Sequence, residues 1–322
     1  IRVGEFAGWG IGWGSGATWL GPSLTILGTC TMLVGVTAAL LQSDAKRLLA
    51  YHSVSQMGYI ILGLGVGLYL GAGGGLGLVG AIYHIVNHAL FKAALFLGVG
   101  IIYVHTNETN LYNLGGLWRR FPVTAILMFL AVLGITGAPG LNGYASKTLL
   151  HHAVSQAAET GTPWLVWVER LFLVVGVGTA ASFTKLYYLM FLGKPTKVEI
   201  ADNDSSMLQL ALGLLAVVMV GIGLRPELFP KVMAVPAAEV LGMSDASTTL
   251  AGISFWNAAD LVGMFVTLAL GMIVCWAGLR SGAFHWQPPI WLTLEGLAKL
   301  SGLGLLALWQ VGAGFYRSTV TA

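Results

Sequence analysis

The sequence "FPVTAILMFLAVLGITGAPGLNGYASKTLLHHAV", residues 121–154, is an apolar run long enough to span a membrane, but glycine and proline interrupt it. Three glycines and Pro139 fall within seven residues near its middle. Proline lacks a backbone donor and clashes with the preceding turn, while glycine permits non-helical angles. The stretch therefore predicts a discontinuous helix, broken near 135–144. Such breaks are tolerated at membrane depth only inside protein or beside a wet cavity, and they mark ion sites in transporters. The alternative is two short helices joined by a surface loop.

The composition around this stretch is that of a membrane protein. Only 9% of the 322 residues are charged, against roughly a quarter in soluble domains, and 56% are hydrophobic. Apolar segments long enough to cross ~30 Å of hydrocarbon follow one another along the chain. We therefore predict an all-α, polytopic bundle of transmembrane helices. The formal net charge of +3 is small and scattered, which argues against nucleic acid as a partner.

Seven membrane spans are predicted, with two less regular segments at the ends of the chain. Residues 1–21 mix glycine and tryptophan and indicate an interfacial loop. The tail, 285–322, is either an eighth span or a helix lying along the surface. Since the chain begins with Ile1 and not with methionine, we expect it to start inside a longer protein. The spans are predicted at about 22–41, 50–70, 78–104, 122–158 with its interruption, 166–192, 207–224 and 256–279.

A second stretch, "YHIVNHALFKAALF" (83–96), places a lysine and two histidines in an apolar span. Lys92 lies too far from either end of the helix for its amine to reach water easily, and a charge at mid-membrane marks a functional residue by default. His84 and His88 precede it by two turns and one turn, so the three side chains form one stripe. We predict that this stripe carries protons. The alternative is that the histidines bond neighbouring carbonyls and Lys92 is ion-paired.

Further buried cations follow the predicted break. Lys147 is a second intramembrane amine, and His151 lies one turn beyond it. A poorly solvated interior disfavours the charged form of an amine, which brings proton exchange near neutral pH within reach. His152 points elsewhere on the same helix and is predicted to be interfacial. Lys185 fits two roles equally, a snorkelling anchor or a member of the proton path.

Other polar residues suggest no bond-making chemistry. Glu169 and Arg170 are predicted to form an interfacial pair beside tryptophans. Cys30 and Cys275 lie in separate apolar runs, so neither a metal site nor a disulfide is indicated. No nucleophile with its base, paired carboxylates or phosphate loop appears. We therefore expect no catalytic residue, no metal and no cofactor on this chain.

Three motifs resemble a known family in order and spacing. They are "SDAKRLLAYHSVSQMGYIILGLG" (43–65), "YHIVNHALFKAALFLGVGIIY" (83–103) and "LGGLWRRFPVTAILMFLAVLGITGAPGLNGYASKTLL" (114–150). They are similar to the antiporter-like membrane subunits of complex I, of Mrp-type sodium/proton antiporters and of energy-converting hydrogenases. The resemblance covers about 22–195, the predicted antiporter-like core. Residues 196–322 resemble the family only as further transmembrane or lateral helices.

The resemblance implies two inverted five-helix repeats, each with a broken helix, and a central line of lysines, histidines and a glutamate that moves protons. Lys92 resembles the family's central lysine, His84 and His88 its connecting histidines, and Lys147 the charged residue of the second repeat's broken helix. A lysine at this last position favours the large distal type of subunit. The first repeat has no counterpart here, so the chain resembles the second repeat. His151 and its neighbour stand where relatives often carry acidic residues, which leaves the exit of the path open.

The sequence thus predicts a proton-translocating subunit of a redox-driven pump, of the NADH:quinone oxidoreductase type. Its proposed relay comprises Lys92, His84, His88, Lys147, His151 and Lys185. The alternatives are sodium/proton antiport, a membrane-bound hydrogenase subunit, and a structural anchor whose buried charges only hold helices together. The expected partners are other membrane subunits, membrane lipid and protons, or sodium in place of protons. The expected location is the bacterial cytoplasmic membrane.

Overall fold

A computed structural model of the protein describes residues 19–195, 197–201 and 205–286, together with Gly296 and Lys299. The chain divides into two compact units, Ile1–Phe284 and His285–Ala322, and the long helices belong to the first. The interfacial loop predicted at the start and the helix predicted in the tail fall largely outside the described residues.

Within the described residues the first unit is all-α and contains no strand, which confirms the predicted fold class. Six of these helices are long and apolar enough to cross a membrane, and a pair of shorter ones, α4 and α5, forms the interrupted span. The helices are α1 (Leu20–Leu40), α2 (Ala45–Leu70), α3 (Gly75–Thr106), α4 (Pro122–Thr136), α5 (Asn142–Ala158), α6 (Pro163–Tyr187), α7 (Ser206–Leu224), α8 (Val235–Val240), α9 (Ala246–Ala251) and α10 (Ala258–Ser281).

The predicted spans agree with the observed ones within a few residues, except at the start of α2. That helix begins at Ala45, five residues before the predicted boundary, because Asp44 caps it. The Asp44 carboxylate accepts a hydrogen bond from the backbone N–H of Arg47 at 2.8 Å. A side-chain cap of this kind stabilises a helix start by ~1 kcal/mol. The prediction missed this start because it relied on apolar runs, and the first turn of α2 is polar.

The helix predicted to be discontinuous is broken. α4 ends at Gly137, whose left-handed φ of 86° only glycine adopts without strain, and Gly140 has a φ of 87°. Ala138 donates to the carbonyl of Leu133 at 2.9 Å, which satisfies one of the backbone groups left free at the helix end. Ala138 and Leu141 are both buried. The break therefore lies inside the protein, and the alternative of a surface loop is wrong.

α1 and α2 pack backbone to backbone. A Cβ atom added to Gly35 would lie 2.5 Å from the backbone nitrogen of Ser55, and one added to Gly58 would lie 2.5 Å from that of Met32. Ser55 also donates its hydroxyl to the Met32 carbonyl at 3.0 Å. Small residues allow this approach, which drives helix association in lipid through van der Waals contact. Backbone carbonyls of these two helices accept hydrogen bonds from two buried lysines, Lys92 and Lys185.

Two features of the fold were not predicted. Residues 225–252 contain the short helices α8 and α9, which were not expected between the last spans. Single π-helical turns occur at Tyr188–Leu192, directly after α6, and at Pro230–Ala234, directly before α8. Six-residue helices are too short to show a hydrophobic period, and a π-turn has no clear sequence signal.

Candidate functional site

The polar stripe of α3 lies against α2 and α5. His84 is fully buried and Lys92 is only 6% exposed, while His88, one turn from each, is half-buried. Residues four apart share one face of a helix. The structure therefore brings the three predicted side chains onto one surface, and it turns His84 and Lys92 into the bundle.

His84 connects three helices. Its Nε2 donates to Oε1 of Gln56 on α2 at 3.1 Å, because an amide oxygen only accepts. Its Nδ1 then accepts from the hydroxyl of Ser146 on α5 at 2.9 Å. The ring is thus held at both nitrogens, and Ser146 is the residue next to Lys147. This contact joins the α3 stripe to the helix that follows the break.

His88 lies between His84 and Lys92. The rings of His84 and His88 are nearly parallel, with an interplanar angle of 9° and centroids 6.5 Å apart. Phe91 packs against both rings, at 6.0 Å and 5.7 Å between centroids. The Nε2 atom of His88 is buried and makes no hydrogen bond with the described residues. A ring nitrogen without a partner in this position is available to a proton carrier.

The Lys92 ammonium donates a hydrogen bond to the backbone carbonyl of Leu49 on α2. Its Nζ also lies 5.5 Å from the ring centroid of Phe96. A cation–π contact at this distance adds a modest attraction. The lysine is therefore satisfied by a carbonyl and a ring face and forms no ion pair with a carboxylate of the described residues.

Lys147 depends on the helix break. Its Nζ donates at 2.8 Å to the carbonyl of Ile135, in the last turn of α4. The last carbonyls of a helix lack intrahelical partners and carry the negative end of its dipole, so they favour a cation. Lys147 is 3% exposed and lies 5.3 Å from the ring centroid of Tyr59. An unbroken helix would offer no free carbonyl at this point.

Lys185 is fully buried and donates to two carbonyls, of Leu40 at 2.5 Å and of Gln42 at 2.8 Å. These carbonyls belong to the end of α1 and the turn that follows it. Because these acceptors lie at a helix end, toward which a snorkelling amine extends, the anchor role predicted for Lys185 stays a prediction. Membership of the proton path stays a prediction.

The polar residues beyond Lys147 form a cluster in the second half of α5. His151 Nε2 lies 3.7 Å from a Glu169 oxygen on α6, and His152 Nε2 lies 2.8 Å from Asp260 Oδ2 on α10. Glu169 and Arg170 form no ion pair with each other in the described part of the chain: Glu169 accepts from the Ser155 hydroxyl, and the Arg170 guanidinium lies against the ring of Trp167. Their interfacial position stays a prediction. Two carboxylates, of Glu169 and Asp260, therefore lie beside the histidine pair.

Sequence reasoning missed three residues of this interior: His52, Gln56 and Ser146. His52 is fully buried, and neither ring nitrogen has a hydrogen-bond partner among the described residues. Its ring packs against that of Phe183 on α6, with centroids 4.5 Å apart. His52 and Gln56 are four residues apart on α2. The same one-turn spacing that identified the α3 stripe could therefore have found them.

Among the described residues, the buried side chains that can carry a charge near neutral pH are lysines and histidines, and no Asp or Glu is buried. The three buried lysines donate to carbonyls, and no cluster of three or more His, Cys, Asp or Glu side chains among these residues could hold a metal ion. The expectation that the chain carries no cofactor of its own stays a prediction. Chemically, the arrangement offers amines and imidazoles that can gain and lose protons in sequence.

Comparison with known proteins assigns the fold to a family. Residues 16–174 match the family described as NADH:quinone oxidoreductase/Mrp antiporter, transmembrane. The chain belongs to this family of antiporter-like subunits. The match contains α1 to α5, with Lys92, Lys147 and the helix break, and the first half of α6.

This antiporter-like subunit is similar to proteins of three kinds of complex. It is 32% identical over 253 residues to formate hydrogenlyase subunit 3 of Escherichia coli K12, covering 74% of this chain and 40% of that protein. It is 35% identical over 180 residues to a Na(+)/H(+) antiporter subunit of Alkalihalophilus pseudofirmus, covering 56% of this chain and 34% of that protein. A chain of respiratory complex I from Thermus thermophilus aligns with a TM-score of 0.58 at 25% identity, covering 69% of this chain and 45% of that one. The antiporter-like subunit thus spans less than half the length of each of these proteins.

Proposed function

We propose that this antiporter-like subunit moves protons through the membrane as part of a multisubunit, redox-driven complex. The observation that carries the proposal is the succession of titratable side chains from Lys92 through His88 and His84 to Lys147. The hydrogen bond from His84 to Ser146 holds the histidine against α5, the helix that carries Lys147. The nearly parallel rings of His84 and His88, with centroids 6.5 Å apart, form the middle of this succession.

The contacts of the buried amines favour transport over a structural anchor. A charge retained only for structure is expected to have a hydrogen-bonded counter-charge, because an isolated charge in a low-dielectric interior is costly. Neither Lys92 nor Lys147 has a carboxylate partner among the described residues. Each is instead held by a single main-chain carbonyl. Loss of a proton breaks no ion pair at either site, so both amines are suited to a role in which they gain and lose charge.

The kind of complex is the finer part of the proposal. Likeness to a complex I chain supports the NADH:quinone oxidoreductase type. Likeness to a formate hydrogenlyase subunit, at higher identity, supports a hydrogenase type as a second candidate. Neighbouring genes separate these: flavin and iron–sulfur subunits accompany the first, hydrogenase catalytic subunits the second, and small membrane subunits alone indicate antiport. In each case we expect other membrane subunits as partners, and the bacterial cytoplasmic membrane as the location.

Substitutions of Lys92 test the proposal. Lys92→Met removes a titrating group and should strongly depress proton transport. Lys92→Arg should fail almost as badly, because guanidinium does not release its proton. The measurement is protons moved per electron pair by the whole complex in sealed vesicles, normalised to complex content. Lys231→Met, at an exposed lysine, is the matched control and should transport normally.

A structural role for Lys92 predicts a different pattern. Arginine would keep the charge and restore both assembly and transport, whereas methionine would lower the amount of assembled complex. Full transport by Lys92→Arg at normal assembly would therefore end the assignment of Lys92 to a proton path. Transport that depends on sodium concentration and not on pH would instead identify sodium as the ion.

A further inference from the structure

We propose that His151, His152, Glu169 and Asp260 form the mouth at which protons on Lys147 exchange with the aqueous phase. This inference rests on the proposed function and extends its path from the membrane interior to one end of the bundle. The residues come from three helices, α5, α6 and α10, and nothing in the chain order places them together.

A cavity connects Lys147 to this cluster. Its volume is about 90 Å³, and Lys147, His151 and Asp260 all line it. Since one water occupies ~30 Å³ of liquid, the cavity has room for about three water molecules. The Nε2 atom of His151 is buried and makes no hydrogen bond with the described residues. A water in the cavity would therefore find a free imidazole nitrogen beside the amine.

Exposure increases in steps from the amine outward. The Lys147 side chain is 3% exposed, whereas those of His151, His152 and Glu169 are 31%, 33% and 29% exposed. Asp260 lies between these extremes at 14%. The partly exposed groups belong to the last turns of α5 and the first turns of α6 and α10. Helix ends lie nearest the membrane surface, so this gradient leads from the buried amine toward water.

The contacts within the cluster define two short branches. On one, His151 Nε2 lies 3.7 Å from Glu169, which also accepts from the Ser155 hydroxyl. On the other, His152 Nε2 lies 2.8 Å from Asp260 Oδ2. Each step moves one proton between an imidazole and a carboxylate, so no bond other than N–H or O–H forms or breaks. On the first branch Glu169 exchanges the proton with solvent, and on the second Asp260, which lines the cavity, passes it to the more exposed His152.

Asp260 has a structural alternative that can be separated from this role. It lies in the first turn of α10, where an acidic side chain favours the helix dipole. The cap itself is Asn257, whose side-chain oxygen accepts from the Asp260 backbone N–H at 2.9 Å. The Asn257 amide also donates to Asp260 Oδ2 at 2.5 Å. Asp260→Asn keeps the backbone bond of the cap and a side-chain oxygen that can accept from Asn257, while it removes the titrating group. Asp260→Glu restores a carboxylate.

The experiment measures proton transport by the whole complex in vesicles, normalised to assembled complex. We expect Asp260→Asn combined with Glu169→Gln to slow transport at least ~10-fold. A positioned proton-transfer group typically contributes ~10²–10⁴-fold to a rate, and the expected effect is smaller because the two histidines remain. Asp260→Glu alone should transport at nearly the normal rate. The control is Glu159→Gln, at an exposed carboxylate just beyond α5, which should have no effect.

The result that overturns the inference is full transport by the doubly substituted complex while Lys147→Met abolishes it. In that case the proposed function stands and protons leave by another route. Full transport by both variants would overturn the proposed function itself. If the double variant does not assemble, His151→Gln decides: normal transport by its assembled complex excludes the mouth, and a loss of similar size supports it.

Discussion

Gly35→Ala is expected to force α1 and α2 apart. The added Cβ would lie 2.5, 2.8 and 2.9 Å from the N, Cα and Cβ atoms of Ser55. Carbon atoms in optimal contact are ~3.5–4.0 Å apart, so the two helices must separate by about 1 Å. No flexible side chain can absorb this, because the opposing atoms belong to the α2 backbone and its first side-chain carbon.

The cost follows from two opposing terms. Overpacking a well-packed interior costs ~1–3 kcal/mol, while replacing glycine by alanine within a helix gains ~1 kcal/mol. Gly100→Ala on α3 isolates the second term, because a Cβ there would meet nothing within 4 Å. The unfolding free energies of the two variants should therefore differ by about 1–3 kcal/mol, the size of the clash alone.

The assay is equilibrium unfolding of the purified protein in mixed micelles of mild detergent and SDS, followed by tryptophan fluorescence. We expect the Gly35→Ala midpoint at lower SDS content than wild type, and the Gly100→Ala midpoint at or above it. Equal midpoints for the two variants would refute the reasoning, since both gain the same methyl group. Separation of these helices would also shift the Leu49 carbonyl that holds Lys92, so proton transport should fall with stability.

Two further predictions concern single hydrogen-bonded groups. Ser146→Ala leaves His84 Nδ1 without its partner, and such a loss costs ~1–3 kcal/mol. We expect the barrier to proton transfer through His84 to rise by a similar amount, so proton transport per assembled complex should fall about tenfold, since ~1.4 kcal/mol is tenfold in rate. An unchanged rate would contradict a path through His84. Hydrogen bonds from the Asn110 backbone and the Asn113 amide hold the pKa of Glu108 below its ordinary value. The ionised carboxylate therefore stabilises the α3–α4 loop at neutral pH. This stabilisation is lost as the pH falls below the ordinary pKa of a glutamate. Glu108→Gln should speed hydrogen exchange of the loop at pH 7 but not at low pH, and a difference that persists in acid would count against this account.

The features that could be predicted from the sequence are those encoded by neighbouring residues. The break in the fourth span follows from Pro139 and the glycines around it, because their backbone restrictions act locally. The shared face of His84 and Lys92 follows from helical period alone. Segment ends were less accurate where a polar cap such as Asp44 precedes the apolar run.

The partners of the buried groups could not be predicted, because they are distant in sequence. Lys185 meets Leu40 and Gln42 more than 140 residues earlier in the chain, at main-chain atoms that every residue type carries. Glu169 and Asp260 reach the end of α5 only after three helices have packed. Helical period gives the direction of a side chain on its own helix, but only tertiary packing determines what it meets.

The use of main-chain carbonyls as acceptors for Lys92, Lys147 and Lys185 has a consequence for how this interior responds to mutation and to motion. A carbonyl is present whatever side chain its residue carries, so these contacts persist through most substitutions at the acceptor residues, Leu40, Gln42, Leu49 and Ile135. A carboxylate partner would move with its own flexible side chain, whereas a carbonyl moves only with its helix. Any sliding or tilting of α1, α2 or α4 by even an ångström therefore changes the solvation of an ammonium directly. We therefore expect displacement of a helix within the bundle to change how readily the lysine that it holds keeps its proton.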